Sequence, residues 1–207
     1  MGRQPLIHIP QGLYSVVSKC NNDEFLFDAP EKFEMYLHHL LECKKHFGFL
    51  LYDIVCMSNH VHELYRVPED VTISQILQRV KGQFARKFNH QFGRKNHFWK
   101  NKPYYRIVEN EEYALATMNY FHWNPVKAGM VDSPEKWPFS GYRFHVFNER
   151  DGLIGKLLDP LDQKVNASQY YFLKKGVEAA LQANQPRFLG SADFIRRVSD
   201  TTGVKKQ

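Results

Sequence analysis

The chain has 207 residues, 43% apolar and 14% aromatic, which excludes a disordered chain and leaves room for one domain with a full core and a tail, or two small domains. Its net charge of +6 and pI near 9.1 favour an acidic partner such as nucleic acid. Three cysteines with no Cys-x-x-Cys pair exclude a disulfide framework. The start lacks a signal-peptide apolar region, and no run approaches a membrane span, so a soluble cytoplasmic protein without membrane contact is expected.

Leu13–Lys19 is short and β-branched, bounded by Gly12 and Asn21-Asn22, and predicts a first strand. A helix starts at Asp28-Ala29-Pro30-Glu31. Phe33, Tyr36, Leu37, Leu40, Leu41 and Phe47 recur along it at the spacing of one face, and Gly48 stops it. Phe49–Met57 and His60–Val67 predict two strands joined by a tight turn at Ser58-Asn59. A second helix carries Ile73, Ile76, Leu77, Val80, Phe84 and Phe88 on its core stripe. Tyr104–Val108 predicts a fourth strand, and Asn110 caps a third helix that Asn124-Pro125 is expected to end.

Strand, helix, strand, strand, helix, strand is the order of the ferredoxin-like split β-α-β-β-α-β unit, an α+β fold, here with an added helix. Helices on one face would leave the other face of an antiparallel sheet open to a partner. Residues 1–147 read as one domain. Residues 148–207 read as a C-terminal extension, with helices expected over Lys164–Ala183 and Ser191–Val198. Cys43 and Cys56 read as core residues.

On the third strand, His60 and His62 flank Val61 and must share a face, where two imidazoles can chelate one divalent ion. Solvent-facing histidines would cost little stability to remove. Tyr120 and Asn124 lie four apart on one face of the third helix, with Ala114, Thr117, Met118 and Phe121 as its packing face. An ion held by His60, His62 and an Asn124 oxygen would keep positions open for a phosphate oxygen. Tyr120 could then attack phosphorus, helped by the cation and by Lys127. Two other readings stand beside this one. The first is a non-catalytic single-stranded nucleic-acid-binding module, and the second a structural zinc site that recruits Cys56.

Between Asp70 and Glu109 there is no acid, whereas Arg79, Lys81, Arg86, Lys87, Arg94, Lys95, Lys100, Lys102 and Arg106 crowd that stretch. Phe92, His97, Phe98, Trp99, Tyr104 and Tyr105 are interleaved as candidate platforms for unstacked bases. Cations along a phosphate backbone with aromatic platforms suit single-stranded DNA.

Met57-Ser58-Asn59-His60-Val61-His62, the basic stretch, Tyr120-Phe121-His122-Trp123-Asn124-Pro125-Val126-Lys127-Ala128-Gly129 and Trp137-Pro138-Phe139-Ser140-Gly141-Tyr142-Arg143 together resemble the single-tyrosine HUH transposases. Within them the resemblance is to the REP-associated tyrosine transposases, over about Leu13 to Arg143. It implies His60, His62 and Asn124 as ligands of Mg²⁺ or Mn²⁺, and Tyr120 as the nucleophile. It further implies an enzyme that nicks and rejoins single-stranded DNA through a 5′-phosphotyrosine link, on a substrate with hairpin or repeat structure. Whether Tyr120 serves its own metal site or that of a second subunit in a homodimer stays open. Ser58 stands where the family usually has Pro, and Ser15 where the first strand often has His.

Overall fold

A computed structural model describes residues 7–100, 102–161 and 188–202. Its strands are β1 (Leu13–Lys19), β2 (Leu50–Cys56), β3 (His60–Arg66), β4 (Tyr104–Val108) and β5 (Phe188–Leu189), in the order β2-β3-β1-β4-β5. The first four pair antiparallel in the ferredoxin-like arrangement, at boundaries within a residue of those predicted. The fifth, from the C-terminal extension, adds a parallel edge beside β4.

Helices α1 (Pro30–Phe47) and α2 (Ile73–Gln91) form the expected layer on one face. Phe33, Tyr36 and Leu40 of α1 and Ile76, Val80 and Phe84 of α2 bury against Tyr14, Val16, Ile54 and Tyr65 of the sheet. Each fully buried side chain of this kind is worth about 1.5–3 kcal/mol. Gly48, at φ 70°, closes α1 in the left-handed region that side chains disfavour. A reciprocal pair opens α2: Gln75 N donates to Thr72 Oγ1, and Thr72 N donates to Gln75 Oε1.

The added helix α3 (Glu111–Lys127) takes the opposite face. Its Ala114, Leu115, Met118 and Phe121 pack on Leu13, Tyr52, Val55, Leu64 and Val108, so this face is only partly open. Asn110 caps it as predicted, accepting from Tyr113 N at 3.2 Å. Its end differs from the expectation. The helix runs through Asn124-Pro125 to Lys127 and closes where Gly129, at φ 68°, lets Met130 N reach Pro125 O and Gly129 N reach Val126 O. In the last turn proline forfeits one hydrogen bond, and burial of Pro125 outweighs that loss.

After α3 the chain pairs with the free edge of β2. Cys56 N donates to Phe139 O, Gly141 N donates to Ile54 O, and Val55 bridges Ser140. Short helices α4 (Tyr142–Val146) and α5 (Gly152–Leu157) follow. Lys44 of α1 holds the second of these, donating to Leu157 O and pairing with Asp159, whose carboxylate also accepts from Leu51 N. The helix expected at Ser191–Val198 is α6 (Ala192–Thr202); the one expected at Lys164–Ala183 lies outside the described residues. Among the described residues no helix is long and apolar enough to cross a membrane.

Candidate active site

His60 and His62 stand side by side on β3, ring centroids 4.8 Å apart, on the face that α3 partly covers. The turn before them is tied down from outside: Cys20 N donates to Asn59 O, and Phe27 N to Ser58 O. Asn59 Oδ1 lies 2.6 Å from His60 Nδ1 and accepts its proton, which leaves Nε2 as the lone-pair nitrogen. Burial, reinforced by Lys19, pushes the His60 pKa down to about 4. Burial and the neighbouring His60 push His62 well below the ordinary imidazole value. Both rings are therefore neutral at pH 7 and able to donate electron pairs.

Extension of α3 through Asn124 brings that residue to the histidine pair. Asn124 Nδ2 sits 3.3 Å from His62 Nε2, and the Tyr120 ring lies one turn back, 6.3 Å from that of His62. A half-turn of the amide presents its oxygen to the same point. Two neutral imidazoles and an amide oxygen form a set that fits one divalent ion and leaves positions for phosphate oxygens. Lys127 Nζ lies 5.0 Å from the Tyr120 ring centroid.

His62 departs from the expectation of an open, solvent-facing pair. It is only 5% exposed, with Phe121 4.7 Å from it centroid to centroid, whereas His60 is half-buried. Cys56 cannot join them. It pairs with Val61 in the ladder and points into the opposite core, which removes the proposed cysteine ligand of a zinc site.

The basic stretch divides. Arg86 and Lys95 are exposed and, with His97, Asn21, Asn22 and Asn89, line an open polar cleft; Lys102 and Lys127 are exposed as well. Lys87, Arg94 and Lys100 face outward but pair with Glu42, Glu24 and Asp23. Arg79 lies with its guanidinium 6.0 Å from the Phe47 ring centroid.

Lys81 and Arg106 are buried, at 8% and 6% exposure, and do not form the expected phosphate-binding surface. Lys81 follows Leu77 and precedes Phe84 and Phe88 on the apolar stripe of α2, and that spacing was the available signal. Its Nζ lies 5.1 Å from the Trp99 ring centroid, in the field of the buried Glu63. Phe98, Trp99 and Tyr105 are core residues too, leaving Tyr104 and His97 as the exposed rings of that group.

Sequence reasoning missed two features. Lys19 pairs with His60 across the β1–β3 ladder, is exposed, and makes no ion pair among the described residues. A bulge at Tyr52 turns Asp53 toward α3, where its carboxylate meets His122 Nε2 at 3.1 Å and lies 3.6 Å from His145 Nε2. Burial alone would raise the Asp53 pKa, but His122 and His145 outweigh it, and the group stays ionised below its usual range. Gly141 is required beside it, because a Cβ there would meet Asp53 Oδ1.

A ferredoxin-like sheet whose paired histidines face a helix bearing tyrosine and an amide one turn apart defines the class of this protein. Within it the chain belongs to the IS200-like transposase family, which residues 10–124 match. It is 24% identical over 143 residues to a protein of Haemophilus influenzae described as a REP-associated tyrosine transposase, spanning 63% of this chain and 80% of the relative. It also shares its fold with a solved REP-associated tyrosine transposase bound to a REP hairpin. There the TM-score is 0.61 at 21% identity, covering 82% of this chain and 96% of the other.

Proposed function

We propose that this protein is a transposase-type endonuclease and strand transferase for single-stranded DNA, with Tyr120 as nucleophile and His60, His62 and Asn124 as ligands of one Mg²⁺ or Mn²⁺. The observation that carries the reading is the meeting of Asn124 with His62 at 3.3 Å, with Tyr120 one turn back on the same helix. Family membership supports it, as does the hairpin held by the protein of like fold. By that likeness the substrate is single-stranded DNA bearing a REP-type hairpin.

A divalent ion at the three ligands would polarise the scissile phosphate and offset charge developing in an in-line displacement. The chain's own residues do the rest. Tyr120 Oη forms a bond to phosphorus as the bond from phosphorus to the 3′ oxygen breaks. The 5′ phosphate stays on the tyrosine and the other strand end leaves as a 3′-hydroxyl. The phenolic proton passes to solvent, and the departing oxygen takes one up. The Lys127 ammonium offers positive charge to the attacking phenolate, and Lys19 meets the phosphate beside His60. Attack by a 3′-hydroxyl on the phosphotyrosine runs the step backward and joins strands.

The test is incubation with labelled single-stranded DNA from the flanks of its own gene, followed by denaturing electrophoresis. Wild type should give a protein-linked band whose digest carries a 5′-phosphorylated nucleotide on Tyr120. Tyr120→Phe should fold, bind metal and bind DNA, yet give neither adduct nor cleavage, while Tyr113→Phe stays active. Cleavage by Tyr120→Phe would make the nucleophile water; binding without cleavage by wild type would make the protein a binding module.

A further inference from the structure

We infer that Tyr104 is the stacking platform for the nucleobase next to the scissile phosphate, an inference that rests on the cutting site proposed above. The sheet itself brings the two together. His62 pairs with Val17 across the β3–β1 ladder, and Val17 pairs with Tyr104 across the β1–β4 ladder. Residues directly opposite in a ladder point to one face, so the three side chains form a row on the face where His60 and His62 stand. Two strand spacings, roughly 10 Å, separate His62 from Tyr104, a span that one extended nucleotide can bridge from phosphate to base.

The row is built for such a ligand at each point. Lys19, paired with His60, puts an exposed ammonium at the phosphate end. Val17, half-buried and apolar, forms the floor between. Tyr104 is 45% exposed, although its neighbour Tyr105 and the other large aromatic groups of that stretch, Phe98 and Trp99, are buried.

Its orientation is fixed from below. The buried Arg106 guanidinium lies 5.0 Å from the Tyr104 ring centroid, and Arg106 Nε donates to Tyr104 Oη at 3.1 Å. A ring held by a buried cation loses little freedom when a base stacks on it, and stacking tolerates any base because every base has a π face.

The experiment uses the full-length protein and gene-flanking single-stranded DNA with 2-aminopurine at each position in turn, whose fluorescence falls on stacking. With wild type, quenching should peak at one of the two nucleotides flanking the mapped cut. Tyr104→Leu, which keeps apolar bulk without a π face, should abolish that quenching and weaken binding roughly ten- to hundredfold. Tyr104→Phe should retain both. Circular dichroism and thermal melts of each variant exclude unfolding as the cause.

Unchanged quenching and affinity in Tyr104→Leu, or quenching lost equally at all positions, overturns the platform. Adduct formation at Tyr120 is read separately. An adduct without Tyr104-dependent quenching overturns the platform and leaves the nucleophile standing. Tyr104-dependent quenching without any adduct supports Tyr104 as a base platform and counts against the nucleophile alone.

Discussion

At His62 one side chain is asked to do two things: present a lone pair to a cation and fill the seam between β3 and α3. Its ring touches Phe121 and Asn124 and is almost wholly buried, whereas His60 stands at the margin with its Nδ1 satisfied by Asn59. The two alanine variants should therefore part company in stability and agree in chemistry. His60→Ala should lose cleavage at a stability cost within about 1 kcal/mol, as for a partly exposed side chain with one local hydrogen bond. His62→Ala should lose cleavage and about 1–3 kcal/mol, because it also opens a cavity against Phe121. Urea melts in metal-free buffer with cleavage assays on the same samples check this. Equal stability losses would mean that α3 does not seat on His62, and residual cleavage in either would remove that histidine from the ligand set.

At the scale of elements, what was legible in the sequence is what repeats along one segment. The strand boundaries, the stripes of α1 and α2 and the Asn110 cap follow from period and punctuation, and so does the shared face of His60 and His62. What was not legible depends on the neighbour across a ladder or beneath a helix. The Tyr52 bulge aims Asp53 at His122, and the run of α3 through Pro125 brings Asn124 to His62. No local pattern specifies these, because each is decided by a partner distant in sequence.

The packing of β3 on α1 and α2 gives one such partnership a measurable sign. Glu63 points away from the histidines, fully buried, with Tyr36 Oη donating to its Oε1 at 2.6 Å. Burial raises its pKa to about 7, partly relieved by Tyr36 and Lys81. The folded value lies above the unfolded one near 4.5, so the folded form holds the proton more tightly. Stability from this group is full below pH 4.5 and is lost as pH rises through 7. His60 and His62 act in the opposite direction over much of that window, since their folded values are lowered. The difference between variant and wild type isolates the carboxyl. Between pH 4.5 and 7.5, Glu63→Gln should gain on wild type by on the order of 2–3 kcal/mol in urea midpoint measurements. A difference flat with pH would mean Glu63 ionises in the fold as freely as in water.

For the molecule as a whole, the distribution of its +6 charge should be readable in how DNA affinity responds to salt. Each phosphate neutralised on a single strand releases counterion, giving a slope of about −0.7 per contact in log affinity against log salt. Were all ten basic residues of the sequence reading, Arg79 to Arg106 with Lys127, on phosphates, the slope would be about −7. Lys81 and Arg106 are buried and Arg79 is half-buried against Phe47, so these three do not contribute. Lys87, Arg94 and Lys100 are held by acids, and a lysine that leaves a glutamate for a phosphate exposes an anion that recruits its own cation, so the net release is small. Lys19, beside His60, and Arg86 and Lys95, along the cleft, are exposed, and they set an expected slope of about −2. Titrating fluorescent single-stranded DNA between 50 and 200 mM salt, roughly a fourfold change, should weaken binding roughly twentyfold. Lys19→Ala should make the slope shallower by about 0.7, whereas Lys81→Met should leave it unchanged whatever it does to stability. A slope near −7, or one that Lys81→Met reduces, would show that the buried and paired cations turn outward on binding and would overturn this division of the surface.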